Sequence, residues 1–262
     1  KADFSSSAGK LTASGSIDEW VINGSLNAQA GDYPKGHLEI QGNGSSESAQ
    51  ITLLNGAVLG GTLGGHATVN WKDGLSWNAA IKSADIHLEP LFPEWPGQLD
   101  AALKVEADSR SDLIHMEILS LQGRVRDVPL TAHGAVKMEG DELRFSGVEI
   151  RTDEAVLQLD GDFTDATGAA VTFSGNLPSS LLQGARGSVE LEGRYSTNPQ
   201  HPLAQLKLEA SELAWDGMSL NTLSLNTEES RSRTAIPAFK MRAVGFVSQD
   251  TLIDEFSLSF MP

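Results

Sequence analysis

The chain contains no cysteine. That rules out a disulfide framework, a thiolate metal site and a cysteine nucleophile, and leaves the compartment open. Basic charge is scarce: 19 Lys and Arg stand against 35 Asp and Glu, for a formal net charge of −16. Such a balance argues against nucleic acid, because phosphate binding wants a basic face. It also argues against a polybasic anchor on an anionic membrane surface. No run approaches the roughly 18 apolar residues that a transmembrane helix needs. No signal-peptide pattern is present. Amphipathic helical patterning is missing too; Ser179 to Arg186 has room for two turns at most. What remains is a 262-residue chain with 40% hydrophobic and 21% charged residues, the composition of a folded protein. Its 26 glycines and 6% aromatics fit a turn-rich β protein.

Period-two alternation dominates the chain. Leu99, Ala101, Leu103 and Val105 fall on one face, and Asp100, Lys104 and Glu106 on the other. The same alternation runs from Leu130 to Met138, with His133 and Lys137 opposite the apolar set, and through Ala155 to Phe163, Val189 to Tyr195 and Ala204 to Ala210. Asn55-Gly56, Asp73-Gly74, Gly140-Asp141 and Asp216-Gly217 separate such runs and read as hairpin turns, so neighbouring strands are expected to be antiparallel. Pro90-Leu91-Phe92-Pro93-Glu94-Trp95-Pro96-Gly97 breaks the rhythm, since three prolines exclude a central strand. It is expected to be a crossing loop with its aromatics tucked against apolar surface. A weak repeat of about 90 residues relates 66–154 to 155–245: Trp77 to Ala101 resembles Thr167 to Leu191.

Little in the sequence carries chemistry. The six histidines lack metal-ligand spacing, and His37-Leu38-Glu39 and His87-Leu88-Glu89 read as solvent faces of strands. Asp160-Gly161-Asp162 with Asp165 lacks calcium-loop spacing and reads as a turn. Asn23-Gly24-Ser25 and Asn43-Gly44-Ser45 read as turns rather than glycosylation sites. Neither a nucleophile elbow nor a phosphate loop occurs. No catalytic residue, metal or cofactor is expected.

At roughly 11 residues per strand and turn the chain would hold on the order of two dozen strands, too many for one flat sheet. Two packed sheets would satisfy the alternation. So would one sheet folded lengthwise into a gutter, roughly 110 Å long at about 4.8 Å per strand. No helical layer is present to cover the apolar face, which must pack on itself or meet an apolar ligand.

Asp32-Tyr33-Pro34-Lys35-Gly36, Leu59-Gly60-Gly61-Thr62-Leu63-Gly64-Gly65 running on to Trp71, and Pro93-Glu94-Trp95-Pro96-Gly97-Gln98-Leu99 form an ordered series. Together they resemble the TamB family of the AsmA-like superfamily of Gram-negative envelope proteins. The resemblance implies a long antiparallel β meander curled lengthwise into a taco with a hydrophobic interior, continuous over 1–262. It implies a non-enzymatic conduit for phospholipids across the periplasm, in a protein anchored in the inner membrane. An Omp85-class outer-membrane partner, TamA, would be met through regions outside this segment, which is expected to be a piece of a longer protein. Lipid acyl chains would lie against Leu99, Leu103, Val105, Leu130, Val136, Met138, Phe145, Leu157, Leu159, Val171, Phe173, Val189, Leu191, Leu206 and Leu208. The competing reading is a scaffold for outer-membrane β-barrel assembly that offers strand edges by β-augmentation. A parallel β-solenoid is disfavoured by the Asp-Gly hairpins.

Overall fold

A computed structural model of the chain is all-β. It describes every residue except 1–3, 31–34, 183, 199, 201–202, 230–237, 249–250 and 262. Seventeen strands occur among the described residues. They are β1 (Phe4–Gly15), β2 (Trp20–Ala30), β3 (Gly36–Gly44), β4 (Ser48–Val58), β5 (Gly61–Asn70), β6 (Ser76–His87), β7 (Gly97–Asp108), β8 (Leu113–Val125) and β9 (Val128–Glu139). Then follow β10 (Glu142–Thr152), β11 (Ala155–Asp162), β12 (Ala169–Asn176), β13 (Arg186–Ser196), β14 (Leu203–Trp215), β15 (Met218–Thr227), β16 (Phe239–Ser248) and β17 (Thr251–Phe260). The count falls short of two dozen because the strands are long, from 8 residues in β11 to 13 in β8 and β14.

Two compact units divide the chain: 1–127 with 137–140, and 128–136 with 141–262, so that β9 carries the boundary. In the first unit β1 to β8 pair antiparallel in sequence order. In the second, β10 to β17 do the same. This is the expected meander, produced by short links that leave no room for a parallel crossover.

Three of the four expected turns are turns. Asp216 and Gly217 both take left-handed φ (47° and 76°), which gives the backbone twist that matches a hairpin. Asp73-Gly74 and Gly140-Asp141 also lie between strands. Asn55-Gly56 does not: it lies inside β4, where the pairing with β5 slips between Leu53 and Gly56. The hairpin comes at Leu59-Gly60, with φ of 50° and 79°. An extra residue in a strand makes a bulge, and here it absorbs the turn-like dipeptide without ending the strand. Similar slips follow Ser83 in β6 and fall between Ile118 and Ser120 in β8. Asn23-Gly24-Ser25 is likewise strand, in β2, and Asn43-Gly44 closes β3.

The proline-rich loop differs from expectation in its aromatics. Its backbone is ordered by hydrogen bonds from the Leu91 and Phe92 N–H groups to the Leu88 carbonyl, and from the Trp95 N–H to the Phe92 carbonyl. Yet Phe92 and Trp95 are exposed. Arg126 stacks 4.5 Å from the Trp95 ring centroid and donates Nε to the Glu94 carbonyl at 2.6 Å. A cation on an indole face takes the place of the apolar surface that the sequence suggested. The loop between β12 and β13 closes in the same manner. Leu177 N–H donates to the Gly187 carbonyl as Leu88 N–H does to Gly97, and the Leu181 and Leu182 N–H groups share the Pro178 carbonyl.

Very little is buried outright. The buried apolar side chains among the described residues are Ala49, Val125, Val148, Ala155, Ala169, Leu203 and Ala210, and four of these are alanine. Among the described residues no large side chain is fully enclosed.

Candidate functional site

In each unit the apolar side chains of successive strands line up directly across the sheet. In the first unit one row runs Leu11, Gly24, Ile40, Leu53, Gly65, Ile81, Leu103, Ile118, through all eight strands. The next row on that face is Ala13, Ile22, Gly42, Ile51, Ala67, Ala79, Val105, Met116. On the opposite face a row reads Thr12, Asn23, Gln41, Thr52, His66, Ala80, Lys104, Glu117. Side chains alternate along a strand, so a register held over eight strands sorts the whole unit into an apolar and a polar face.

The second unit repeats the arrangement with bulkier residues. One row runs Ile150, Leu157, Phe173, Leu191, Leu208, Leu225, Met241, Leu258. Beside it, Val148, Leu159, Val171, Gly193 and Leu206 align. The row Glu149, Gln158, Thr172, Glu192, Lys207, Asn226, Lys240, Ser259 faces the other way.

Twelve of the fifteen residues expected to meet lipid take part in these within-unit pairings. Leu103 and Val105 stand in the two rows of the first unit, and Leu99 pairs between Ile86 and Gly123 further along β7. Leu157, Phe173, Leu191 and Leu208 are consecutive members of one row, and Leu159, Val171 and Leu206 belong to its neighbour. Val189 lies between Gly175 and Ala210. Phe145 pairs with Gly161 and makes an edge-on contact with Phe163 at 5.3 Å. Leu130, Val136 and Met138 are on β9; the first two are half-buried and Met138 is exposed. Sequence reading missed Leu53, Ile81 and Ile118 in the first unit, and Leu225, Met241 and Leu258 in the second. The bulges shift the alternation by one residue just after Leu53 and Ile118. The alternation in Leu223-Ser224-Leu225 was signal enough for the second set.

The apolar face of the first unit carries a recess of about 940 Å³ around Leu53, Leu63, Gly65, Ile81, Ser83 and Leu103. That volume lies near the top of the roughly 300–1,000 Å³ range of small-molecule sites. Gly42 and Gly44 on this face lie under the Ile22 and Trp20 side chains. A Cβ on Gly44 would meet the Trp20 ring at 2.3 Å, so glycine is what lets the indole lie flat there.

The ion pairs of the sheet lie off the apolar rows. Lys104 meets Glu117 at 3.3 Å and Arg242 meets Glu255 at 2.9 Å, both exposed. Arg110 holds the Asp108 carboxyl down to a pKa of about 2, first through a side-chain hydrogen bond. Asp162 is the one buried acid among the described residues. Burial pushes its pKa up, but hydrogen bonds from the Thr164 hydroxyl and N–H, together with the Arg144 charge, outweigh that and leave it below the ordinary value. Asp165 accepts from the Thr167 N–H at 2.6 Å and from the Gly168 N–H at 2.9 Å, which ties up the turn after β11. Asp160-Gly161-Asp162, expected to be part of that turn, is instead the end of strand β11, paired with β12 through Asp160 and Gly161. His37 and His87 are exposed, and His201 lies outside the described residues. Among the described residues no three His, Asp or Glu are grouped to hold a metal. Nor is any helix there long and apolar enough to cross a membrane.

The model of the TamB N-terminal domain matches residues 1–261. The chain belongs to the TamB family. No solved structure matches it. Within the matched region, Lys35-Gly36, Leu59 to Trp71 and Pro93 to Leu99 are described, and Asp32-Tyr33-Pro34 lies outside the described residues. TamB membership points to the Gram-negative envelope and to a role in its translocation and assembly system. The family is a non-enzymatic transport and assembly module that works with an outer-membrane partner.

Proposed function

We propose that this TamB chain is a stretch of a phospholipid conduit, with acyl chains riding on the apolar face while headgroups stay wet. Uninterrupted apolar rows over eight strands in each unit carry this reading. Those rows are lined by aliphatic side chains that remain half-exposed rather than enclosed. An acyl chain gains roughly 0.8 kcal/mol per CH₂ withdrawn from water, and a row that never breaks lets it slide without a large barrier. Each meander would curl lengthwise, apolar face inward, in one continuous trough through the periplasm between the two membranes. A TamA-like Omp85 partner would be met through regions outside 1–262.

In-cell photocrosslinking tests the reading, with a probe at Leu103 and Lys104 as the opposite-face control. Phospholipid captured at Leu103 and absent at Lys104 is expected. Capture of its own chain alone at Leu103 would mean a closed core and would overturn the conduit.

One observation favours scaffolding of outer-membrane strands as a second reading: every residue of β17 is exposed. A probe in β17 that captures nascent outer-membrane protein, with no lipid at Leu103, would select it.

A further inference from the structure

The apolar face of the first unit is graded toward one end of its strands. Its outermost row there is Gly15, Trp20, Gly44, Ala49, Val69, Trp77, Ala107, Ile114. Beyond it come only turns, and Trp71 opens the one that joins β5 to β6. Three of the five tryptophans of the chain therefore lie where aliphatic rows give way to polar turns. Two of them are held in place: Trp20 donates Nε1–H to the Ser45 carbonyl at 3.0 Å, and Trp71 donates Nε1–H to the Ser46 carbonyl at 2.7 Å. The two indoles thus flank the same turn, with their polar edges toward it. Trp71 and Trp77 remain exposed. An indole with an apolar body and one N–H is the side chain suited to a boundary between hydrocarbon and water.

The turns past this row carry both signs of charge with acid in excess. Lys72 pairs with Glu47 at 2.8 Å, and Arg110 pairs with Asp108. Asp18, Glu19, Asp73 and Asp112 add negative charge with no further cation in these turns. A headgroup bearing an ammonium alongside its phosphate complements that edge; a purely anionic headgroup is repelled by it.

We infer that the Trp20–Trp71–Trp77 edge is a headgroup rail, where the glycerol-ester zone of an ammonium-bearing zwitterionic phospholipid rests while its tails cover the Leu and Ile rows. This deepens the conduit reading and rests on it. The indoles are positioning residues: they set how deep a lipid sits and which end faces the turns.

Tryptophan fluorescence of the full chain tests it. With Trp95→Phe and Trp215→Phe in place, the remaining three indoles report on this edge. The chain is mixed with phosphatidylethanolamine brominated either near the ester end or near the methyl end of its chains. Several-fold stronger quenching by the ester-end label is expected, together with weaker quenching by phosphatidylglycerol labelled at the same position. Stronger quenching by the methyl-end label would overturn the rail, because tails would then lie at the tryptophans. Equal quenching by the two headgroups would overturn the ammonium preference. No quenching by any lipid, while the Leu103 probe still captures phospholipid, would sink the rail and spare the conduit. Failure of both measurements would sink both. Circular dichroism of the double variant verifies the unchanged fold.

Discussion

The two units solve the same problem with different side chains. In the first, the row through Leu103 alternates bulky residues with Gly24 and Gly65, and the row through Val105 carries Gly42, Ala67 and Ala79. In the second, the row from Ile150 to Leu258 has no residue smaller than leucine. Glycine and alanine leave the backbone within reach of an apolar guest, and the 940 Å³ recess lies at Gly65. Bulky neighbours in direct register instead cover one another, so the second unit gains more cohesion from its own face. One face is thus roomier and the other firmer, though both are apolar from first strand to last.

A charge on either face should break the comparison most sharply. Leu103→Arg and Leu157→Asp are both expected to abolish lipid capture along the face while the strand content seen by circular dichroism stays native. Half-exposed positions let the charge reach water, which is why folding survives. Loss of fold at either site would show a closed core in that unit.

Asp162→Asn should act on the second unit alone, costing about 1–3 kcal/mol because the Thr164 and Arg144 partners lose a buried carboxylate. The folded-state pKa of Asp162 is depressed, so its contribution is present above the unfolded carboxylate value and fades as pH falls through the folded one. Urea midpoints of wild type and variant, measured from neutral pH into the acid range, should start to draw together below about pH 4 and meet only below the folded-state value.

Phe173→Ala should cost the second unit about 1–2 kcal/mol, less than a fully enclosed phenylalanine, because the ring is only half-buried. Ala79→Leu in the first unit should change stability little and reduce lipid capture at Leu103 by filling space in the adjacent row. Urea unfolding of each variant, paired with crosslinking at Leu103, separates cohesion from room. Arg126→Met should give the smallest effect, about 0.5–1 kcal/mol, through loss of the cation from the Trp95 face.

Much of this was legible beforehand. Alternation around Leu99 to Val105 and Val189 to Leu191 placed those residues on one face, because a strand has a period of two and nothing else in the segment competes. Asp216-Gly217 announced its hairpin because both residues tolerate left-handed φ. Asn55-Gly56 carried the same signal and misled. The dipeptide tolerates left-handed φ without requiring it; neither residue adopts it here, and pairing with β5 turns the stretch into a bulge instead. Trp95 was expected against apolar surface, but Arg126 lies 31 residues further along and no local pattern connects them.

The sequence by itself determined the strand class, the antiparallel order and the polarity of each face, since these follow from spacing within a few residues. The tertiary structure decided which residues share a row, where the bulges fall and which glycines lie beneath a neighbour. Those depend on register between strands, and register is a property of pairs. The rows that could guide a lipid exist only once eight separate registers agree.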